Sequence, residues 1–173
     1  MKVSRAILSD LPNICKLANS AYRGEEAKKG WTFESDFIEG DKRTDENDLF
    51  LLFSNEKAIF LISKNDLDVI TGSVYLEVKN ENLYMGMLSV EPSLQGNGIG
   101  RLLVSNAIQY GQSLGLEKIQ IQVIHLRQEL ILWYERLGFI ASDKILPFEV
   151  PLAFGKPKVP VHFIEMNYPL ILE

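Results

Sequence analysis

The feature that most constrains the fold is the stretch Gln95-Gly96-Asn97-Gly98-Ile99-Gly100, in which glycines alternate with other residues. It follows an apolar, strand-like segment at 83–90 and leads into residues 98–114, where apolar side chains recur at helical spacing. A strand, a tight turn and a helix are therefore predicted in immediate succession. Glycines allow positive φ and close backbone approach, so the amides of such a turn can converge on an anion at the helix N-terminus. The pattern predicts a site for a pyrophosphate.

Two established phosphate motifs do not fit these residues. The chain lacks Gly-Lys-Ser/Thr, which a P-loop requires, and its glycine spacing departs from G-x-G-x-x-G. Glu117 precedes the next predicted strand instead of ending it, which argues against a dinucleotide-binding fold. A turn with a purely structural role remains an alternative.

The other segments predict a single α/β domain over residues 1–173. Ser9 or Asp10 is predicted to cap the first helix, and Thr32 and Thr44 are predicted to cap two short ones. Residues 144–160 hold four of the seven prolines and predict an irregular loop. Predicted strands are 3–8, 58–63, 69–78, 83–90, 118–124, a strand beginning at 139–141, and 161–168; predicted helices follow residue 10 and cover 33–38, 45–53, 98–114 and 128–137.

Composition excludes several classes of function. Apolar clusters are too short to cross a bilayer and no signal-peptide pattern opens the chain, so no membrane partner and a cytoplasmic location are expected. The formal net charge of -5 argues against a nucleic-acid-coating surface. One cysteine, Cys15, and two distant histidines give no disulfide framework and no zinc motif, so no metal is expected.

Two motifs carry a resemblance to a known family. Residues 95–100, with Val90 and Pro92 ahead of them, resemble the Q/R-x-x-G-x-G/A signature of GNAT N-acetyltransferases. The segment Trp133-Tyr134-Glu135-Arg136-Leu137-Gly138-Phe139 resembles the aromatic-Tyr-Glu-x-x-Gly-Phe helix end of the same family. The chain is identified as a member on these residues and on the order of its elements.

The resemblance implies a GNAT fold: α/β (α+β), with a mixed, mostly antiparallel central sheet of about six to seven strands flanked by helices. It implies acetyl-CoA as cosubstrate, with the turn amides on the pyrophosphate and the preceding strand, Leu88 and Val90 above all, on the pantetheine arm. Tyr134 is expected to protonate the departing thiolate, since a phenol near pKa 10 can give up a proton and recover it. The implied cofactor-binding residues are Leu88, Ser89, Val90, Gln95, Gly96, Asn97, Gly98, Ile99, Gly100 and Arg101.

The chain departs from the family pattern in two ways. Many members carry Asn and Ala seven and four residues before the tyrosine, where this chain has Arg127 and Leu130. Arg127 could reach a cofactor phosphate or pair with a carboxylate, and pairing is favoured. The strand before the turn also lacks the glutamate that serves some relatives as base, so a water-relayed base is predicted, with Glu25, Glu26 and Glu77 as candidates.

The expected reaction is direct attack of a primary amine, from a small molecule or a peptide, on acetyl-CoA in a ternary complex. Acceptor specificity is expected in residues 22–44 and 144–160. Residues 25–48 carry nine acidic and four basic side chains, which could attract a cationic amine or could simply be solvated. A non-catalytic acyl-CoA sensor is the alternative function, and monomer and homodimer remain open. Predicted acceptor residues are Tyr22, Glu25, Glu26, Trp31 and His162.

Overall fold

The structure is a computed structural model that describes residues 1–171. Three short 3-10 helices connect the main elements, at Leu8–Asp10, Pro92–Leu94 and Leu152–Phe154. The strands are β1 (Lys2–Arg5), β2 (Ile38–Glu39), β3 (Ala58–Lys64), β4 (Ile70–Lys79), β5 (Asn82–Val90), β6 (Lys118–Ile124), β7 (Ile140–Pro147), β8 (Lys156–Pro157) and β9 (His162–Pro169). The helices are α1 (Leu11–Tyr22), α2 (Gly24–Ala27), α3 (Glu46–Phe53), α4 (Ile99–Ser113) and α5 (Gln128–Arg136).

Seven strands form one twisted sheet in the order β1-β3-β4-β5-β6-β9-β7. Every neighbouring pair is antiparallel except β5 and β6, which run parallel and are connected through α4. The predicted mixed, mostly antiparallel sheet of six to seven strands is thereby confirmed. Strands β2 and β8 form a separate two-stranded sheet, which the sequence did not predict.

The parallel pair separates soon after it begins. Strands β5 and β6 are paired only from Asn82 to Tyr84, although β5 continues to Val90. Farther along β5, a bulge sets Met87 and Leu88 against one residue of β4, and Met87 has a φ of 51°. A bulge bends its strand and takes backbone groups out of the ladder. The sheet is consequently open between β5 and β6, next to the glycine turn.

The sheet buries one core cluster on each face. On one face, α4 and α5 pack on β4, β5 and β6 around Leu103, Ile119 and Tyr134. On the other face, α1 and α3 pack on β3 and β4 around Ile14 and Phe60. Gly72 in β4 permits this layering, because a Cβ there would lie 2.8 Å from Ile99 and 2.9 Å from Leu103.

Three local predictions were wrong. Residues 33–38 form no helix, because the Thr32 hydroxyl donates to the Ala21 carbonyl instead of capping. The cap of α3 is Asp45, whose carboxylate accepts from the Asp48 amide, while Thr44 donates its hydroxyl to Asp48. The predicted loop 144–160 contains the end of β7 and all of β8. Long-range contacts override local propensity at 33–38 and at β8, whereas the cap of α3 is decided by local bonds to Asp48.

Across residues 1–171, the helices are all too short or too polar to cross a membrane.

Gly72 provides a test of the layering. We expect Gly72→Ala to lower the free energy of unfolding and Gly72→Val to lower it further, by roughly 1–3 kcal/mol, because each added carbon enters space held by α4. Urea unfolding of the three proteins measures this series. Valine favours strands intrinsically, so unchanged or increased stability in Gly72→Val would show that α4 does not pack closely on this glycine.

Candidate active site

A cavity of about 580 Å³ lies at the opening between β5 and β6. Its walls come from the glycine turn, the end of β5, α5 and the loop after α2. The lining residues are Tyr22, Trp31, Thr32, Leu88, Val90, Gln95, Gly96, Gly98, Ile99, Gly100, Arg101, Glu129, Leu130, Trp133, Tyr134 and Arg136. This size is typical of a small-molecule or cofactor site.

The glycine turn forms the N-terminus of α4. Gly96 and Gly98 have φ of 87° and 83°, a conformation that side chains with a Cβ rarely adopt. The first bond of the helical ladder runs from the Leu102 amide to the Gly98 carbonyl at 2.9 Å. The amides of residues 98–101 therefore precede the ladder and are available to a ligand, and the helix dipole favours an anion there. This is the geometry that a pyrophosphate requires.

Gln95 fastens the turn to the loop opposite. Its amide oxygen accepts from the Trp31 amide at 2.8 Å, and its amide nitrogen donates to the Thr32 hydroxyl at 2.8 Å and the Val90 carbonyl at 3.2 Å. Gly30 makes this possible, because a Cβ there would lie 2.4 Å from the Gln95 oxygen. Gln95 thus acts on the site by positioning the wall that carries Trp31.

Arg127 holds the same loop from the other side. Its guanidinium donates to the carbonyls of Trp31 and Thr32, both at 3.1 Å, and to the Glu129 carboxylate at 2.6 Å. It also lies 3.8 Å from Glu34. With its side chain only 2% exposed, Arg127 is committed to these partners. The favoured prediction was that Arg127 pairs with a carboxylate and not with a cofactor phosphate. The contacts with Glu129 and Glu34 agree with it.

Glu34 joins two buried arginines. Its carboxylate pairs with Arg23 at 2.5 Å and faces Arg127, so one carboxylate is shared by two guanidinium groups. Arg23 also donates to the Phe154 carbonyl at 3.3 Å, which connects this loop to the segment before β8. A buried charge needs such a partner, because desolvation otherwise costs several kcal/mol.

Strand β5 supplies the wall opposite α5. The Tyr22 hydroxyl donates a short hydrogen bond to the Leu88 carbonyl, at the bulge. Ser89 is buried and donates its hydroxyl to the Met87 carbonyl at 3.1 Å, so its side chain stabilises the bulge. Burial, and next the charge of Glu34, raises the pKa of Tyr22 to about 12. Tyr22 is therefore a neutral hydrogen-bond donor at ordinary pH.

Tyr134 lies on α5 within an aromatic cluster. Its ring packs edge-on against Trp133 at 4.9 Å and Phe139 at 5.2 Å between centroids. Trp133 in turn faces Trp31 at 6.0 Å across the cavity. Burial, followed by the nearby Tyr22, raises the pKa of Tyr134 far above its ordinary value. The phenol therefore keeps its proton at physiological pH.

The structure brings most of the predicted site residues together. Of the predicted cofactor residues, all except Ser89 and Asn97 line the cavity, as does Tyr134. Asn97 is exposed and donates its side-chain amide to the Leu94 carbonyl at 3.1 Å. Of the predicted acceptor residues, Tyr22 and Trp31 line the cavity.

The other predicted acceptor residues lie elsewhere. Glu25 and Glu26 are exposed and pair with Lys28 and Lys29 at 2.5 and 2.6 Å. The ring of His162 stacks on that of His125 with centroids 3.7 Å apart, where β6 ends and β9 begins. A role for these three side chains in binding an amine stays a prediction.

Sequence reasoning missed the supports of the cavity. Thr32 was assigned to a helix cap, and Glu34 was counted only as part of an acidic segment. The signal for Gln95 as a support was weak, because its partners are 63 and 64 residues away. Trp133 belongs to the helix-end motif at 133–139, but the sequence does not predict that its ring packs on Gly100. A Cβ added to Gly100 would lie 3.4 Å from that ring.

Within residues 1–171, no group of three or more His, Cys, Asp or Glu side chains is placed to hold a metal ion.

The candidate base Glu77 accepts a hydrogen bond from Asn55 at 3.0 Å and pairs with Lys79 at 3.2 Å.

Comparison with known proteins identifies the family. The model of the acetyltransferase (GNAT) family matches residues 14–139, which include the glycine turn and Tyr134. The chain therefore belongs to the GNAT acetyltransferase family, as its motifs predicted. Acetyl-CoA, the acetyl donor expected from that resemblance, is confirmed at the level of the family.

Individual relatives are distant. A mycothiol acetyltransferase of Propionibacterium freudenreichii is 27% identical over 108 residues, covering 59% of this chain and 33% of that protein, so the match spans a third of the relative's length. Smu.2055 from Streptococcus mutans has a TM-score of 0.75 at 22% identity, covering 99% of this chain and 100% of that one. A phosphinothricin acetyltransferase from Sinorhizobium meliloti in complex with acetyl-CoA has a TM-score of 0.72 at 17% identity, covering 97% and 87%. These structures share the fold.

Arg127 provides a test of the loop anchor. We expect Arg127→Met to lower the free energy of unfolding by about 3 kcal/mol, because it removes one of the two guanidinium groups that face Glu34 and leaves two carbonyls without their donor. Arg136→Met, at the exposed end of the same helix, should change it by less than about 0.5 kcal/mol. Equal urea midpoints for the two variants would show that Arg127 does not anchor the loop that carries Trp31 and Thr32.

The raised pKa of Tyr22 predicts that the free energy of unfolding depends on pH. Folded Tyr22 ionises near pH 12 and the unfolded phenol near 10, so its contribution is complete below pH 10 and lost as the pH rises toward 12. We expect the stability difference between wild type and Tyr22→Phe to shrink by roughly 1–3 kcal/mol over that window. Urea unfolding from pH 8 to 11.5 measures it. A constant difference would mean that the folded phenol titrates normally.

Proposed function

We propose that this chain transfers an acetyl group from acetyl-CoA to a primary amine of a small molecule or peptide, by direct attack in a ternary complex. The observation that carries the proposal is that one cavity is lined by the glycine turn, the bulged end of β5 and Tyr134. An acetyl transfer needs all three: an anion cradle for the donor, backbone groups for its arm and thioester, and an acid for the leaving thiolate.

The donor would lie along this cavity. Amides of residues 98–101 are placed to bind the pyrophosphate, and Trp133 packs against the first turn of α4 beside them. The unpaired edge of β5 beyond Tyr84 offers backbone groups to the amides of the pantetheine arm, in the manner of an added strand. Leu88 and Val90 are proposed to make these contacts.

The proposed acetyl transfer has three steps: attack of the amine, stabilisation of the oxyanion and departure of the sulfur. A neutral amine attacks the thioester carbonyl, the oxyanion is held by backbone amides at the bulge, and the C–S bond breaks as the sulfur takes a proton. Tyr134 is proposed as the proton donor, because it lines the cavity and its phenol carries a proton at physiological pH. Water is proposed to carry the amine's proton away.

The chemistry of Cys15 favours direct attack over an acyl-enzyme. Cys15 is the one thiol of the chain, and it packs with the core cluster of α1 and α3. Burial, followed by the charge of Glu46, raises the pKa of Cys15, which opposes the thiolate that a nucleophile must form. A ternary complex needs no such nucleophile.

An acyl-CoA sensor without turnover is the alternative from another class. It would keep the anion cradle but would have no use for an acid at the thioester. Calorimetric titration with acetyl-CoA, followed by thiol release across an amine panel, separates the two. Binding without thiol release from any amine would favour the sensor, and absence of acetyl-CoA binding would overturn both.

Tyr134 provides the test of mechanism. We expect Tyr134→Phe to lower kcat by about 100-fold, because the thiolate then leaves without a placed acid, and to change the Kd of acetyl-CoA by less than about threefold. Tyr110→Phe, a matched loss of one hydroxyl on α4, should leave kcat unchanged. An unchanged kcat in Tyr134→Phe would remove this residue from the proton-donor role.

A further inference from the structure

The carboxylates of the acidic segment 25–48 are largely committed to structural partners. Glu25 and Glu26 pair with neighbouring lysines at the surface, and Glu34 is shared by two buried arginines. Asp45 caps α3 and Asp48 accepts from Thr44. No carboxylate of this segment is among the residues that line the cavity.

One positive charge of the segment, Arg43, lies outside the cavity lining but against Tyr22, which belongs to it. The guanidinium carbon of Arg43 lies 5.8 Å from the ring centroid of Tyr22, the residue whose hydroxyl is bonded to the Leu88 carbonyl. Its charge acts on both Tyr22 and Tyr84, where it opposes the effect of burial on their pKa values. Among residues 1–171, none of the ion pairs within 4.0 Å includes Arg43.

The backbone at Arg43 is fixed in this position. The side-chain oxygen of Asn19 accepts from the amides of Arg43 at 2.6 Å and Thr44 at 3.1 Å, while its nitrogen donates to the Thr44 carbonyl at 3.1 Å. Asn19 lies one helical turn before Tyr22 on α1. The same helix thus fixes the backbone of Arg43 and carries the Tyr22 ring on which its side chain stacks.

Tyr84 completes the surroundings. Its ring lies over Gly86, because a Cβ on that glycine would be 2.8 Å from the Tyr84 hydroxyl. Tyr84 is the last residue of β5 paired with β6, so its side chain stands where the two strands begin to separate. The cation recorded against the Tyr84 ring is Lys79, with its ammonium 4.5 Å from the ring centroid, so Arg43 stacks on Tyr22 alone.

We propose that Arg43 binds a carboxylate of the acceptor, so that the substrate is an amine that also carries an acidic group. This inference rests on the proposed function, since it assumes that an amine is acetylated at the adjacent strand. A guanidinium presents a rigid pair of donors to a carboxylate, and partial burial beside the Tyr22 ring strengthens the contact. The substrate amine would then lie toward Leu88 and its carboxylate toward α1.

The alternative for Arg43 is a surface cation that only stacks on Tyr22. Such a contact stabilises the protein slightly and has no influence on which amine is chosen. The two roles differ in one measurable respect, because only a carboxylate-binding arginine distinguishes an amino acid from its decarboxylated amine.

Matched acceptor pairs test this difference. Wild type and variants are assayed with acetyl-CoA and with phenylalanine against phenethylamine, methionine against its decarboxylated amine, and lysine against cadaverine. We expect wild type to prefer the carboxylated member of at least one pair by about 10- to 100-fold in kcat/KM, since hydrogen bonds between charged groups are of that strength. Arg43→Met should abolish the preference mainly through KM, and Arg43→Lys should restore part of it.

Lys42→Met is the matched control, because it removes the adjacent exposed cation and should keep the preference. Equal use of both members by wild type, a preference that survives in Arg43→Met, or acetyl-CoA binding with no acetylation of any pair would each overturn the inference. Failure to bind acetyl-CoA would overturn the proposed function with it, which calorimetry reports separately.

Discussion

The early separation of β5 from β6 is the constraint on which the site depends. Three residue pairs join these strands, and beyond Tyr84 the edge of β5 has no strand beside it. A buried backbone group without a partner costs about 1–3 kcal/mol, so an opening of this kind favours a ligand or water that supplies the missing bonds. The Tyr22 hydroxyl already serves the Leu88 carbonyl. An extended chain with amide groups would serve the others, which is the chemistry of a pantetheine arm.

The opening is useful only if its far wall is rigid, and that wall is a loop without regular structure. Gln95 holds the loop from the glycine turn, and Arg127 holds it from the start of α5. Because Arg127 is buried, the loop must also bring its counter-ion, which is Glu34. A residue that departs from the usual pattern of the family has thereby become part of the support for Trp31. Hydrogen bonds consequently connect the loop both to the glycine turn and to the start of α5.

Local patterns predicted those parts of the fold that local patterns determine. The glycine turn and α4 were predicted almost to the residue, because glycine spacing and a helical period are properties of neighbouring residues. The helix predicted after Thr32 was wrong, since that hydroxyl bonds to Ala21 and Gln95 instead. Partners so distant in sequence leave no periodic signal. The same limit explains why the sequence shows Glu34 only as one charge of the acidic segment, although it is part of a buried network.

The acidic segment 25–48 shows why a count of charged residues does not predict the electrostatic potential at a given point of the surface. Ion pairs such as that of Glu25 with Lys28 are exposed, and water and salt screen them at short range. Arg43 is partly buried beside Tyr22, where the effective dielectric constant is lower and a single charge acts more strongly. One placed guanidinium can therefore outweigh several solvated carboxylates in the potential beside Tyr22. The proposed preference for a carboxylate would accordingly be set by the position of one side chain, against the net charge of the segment.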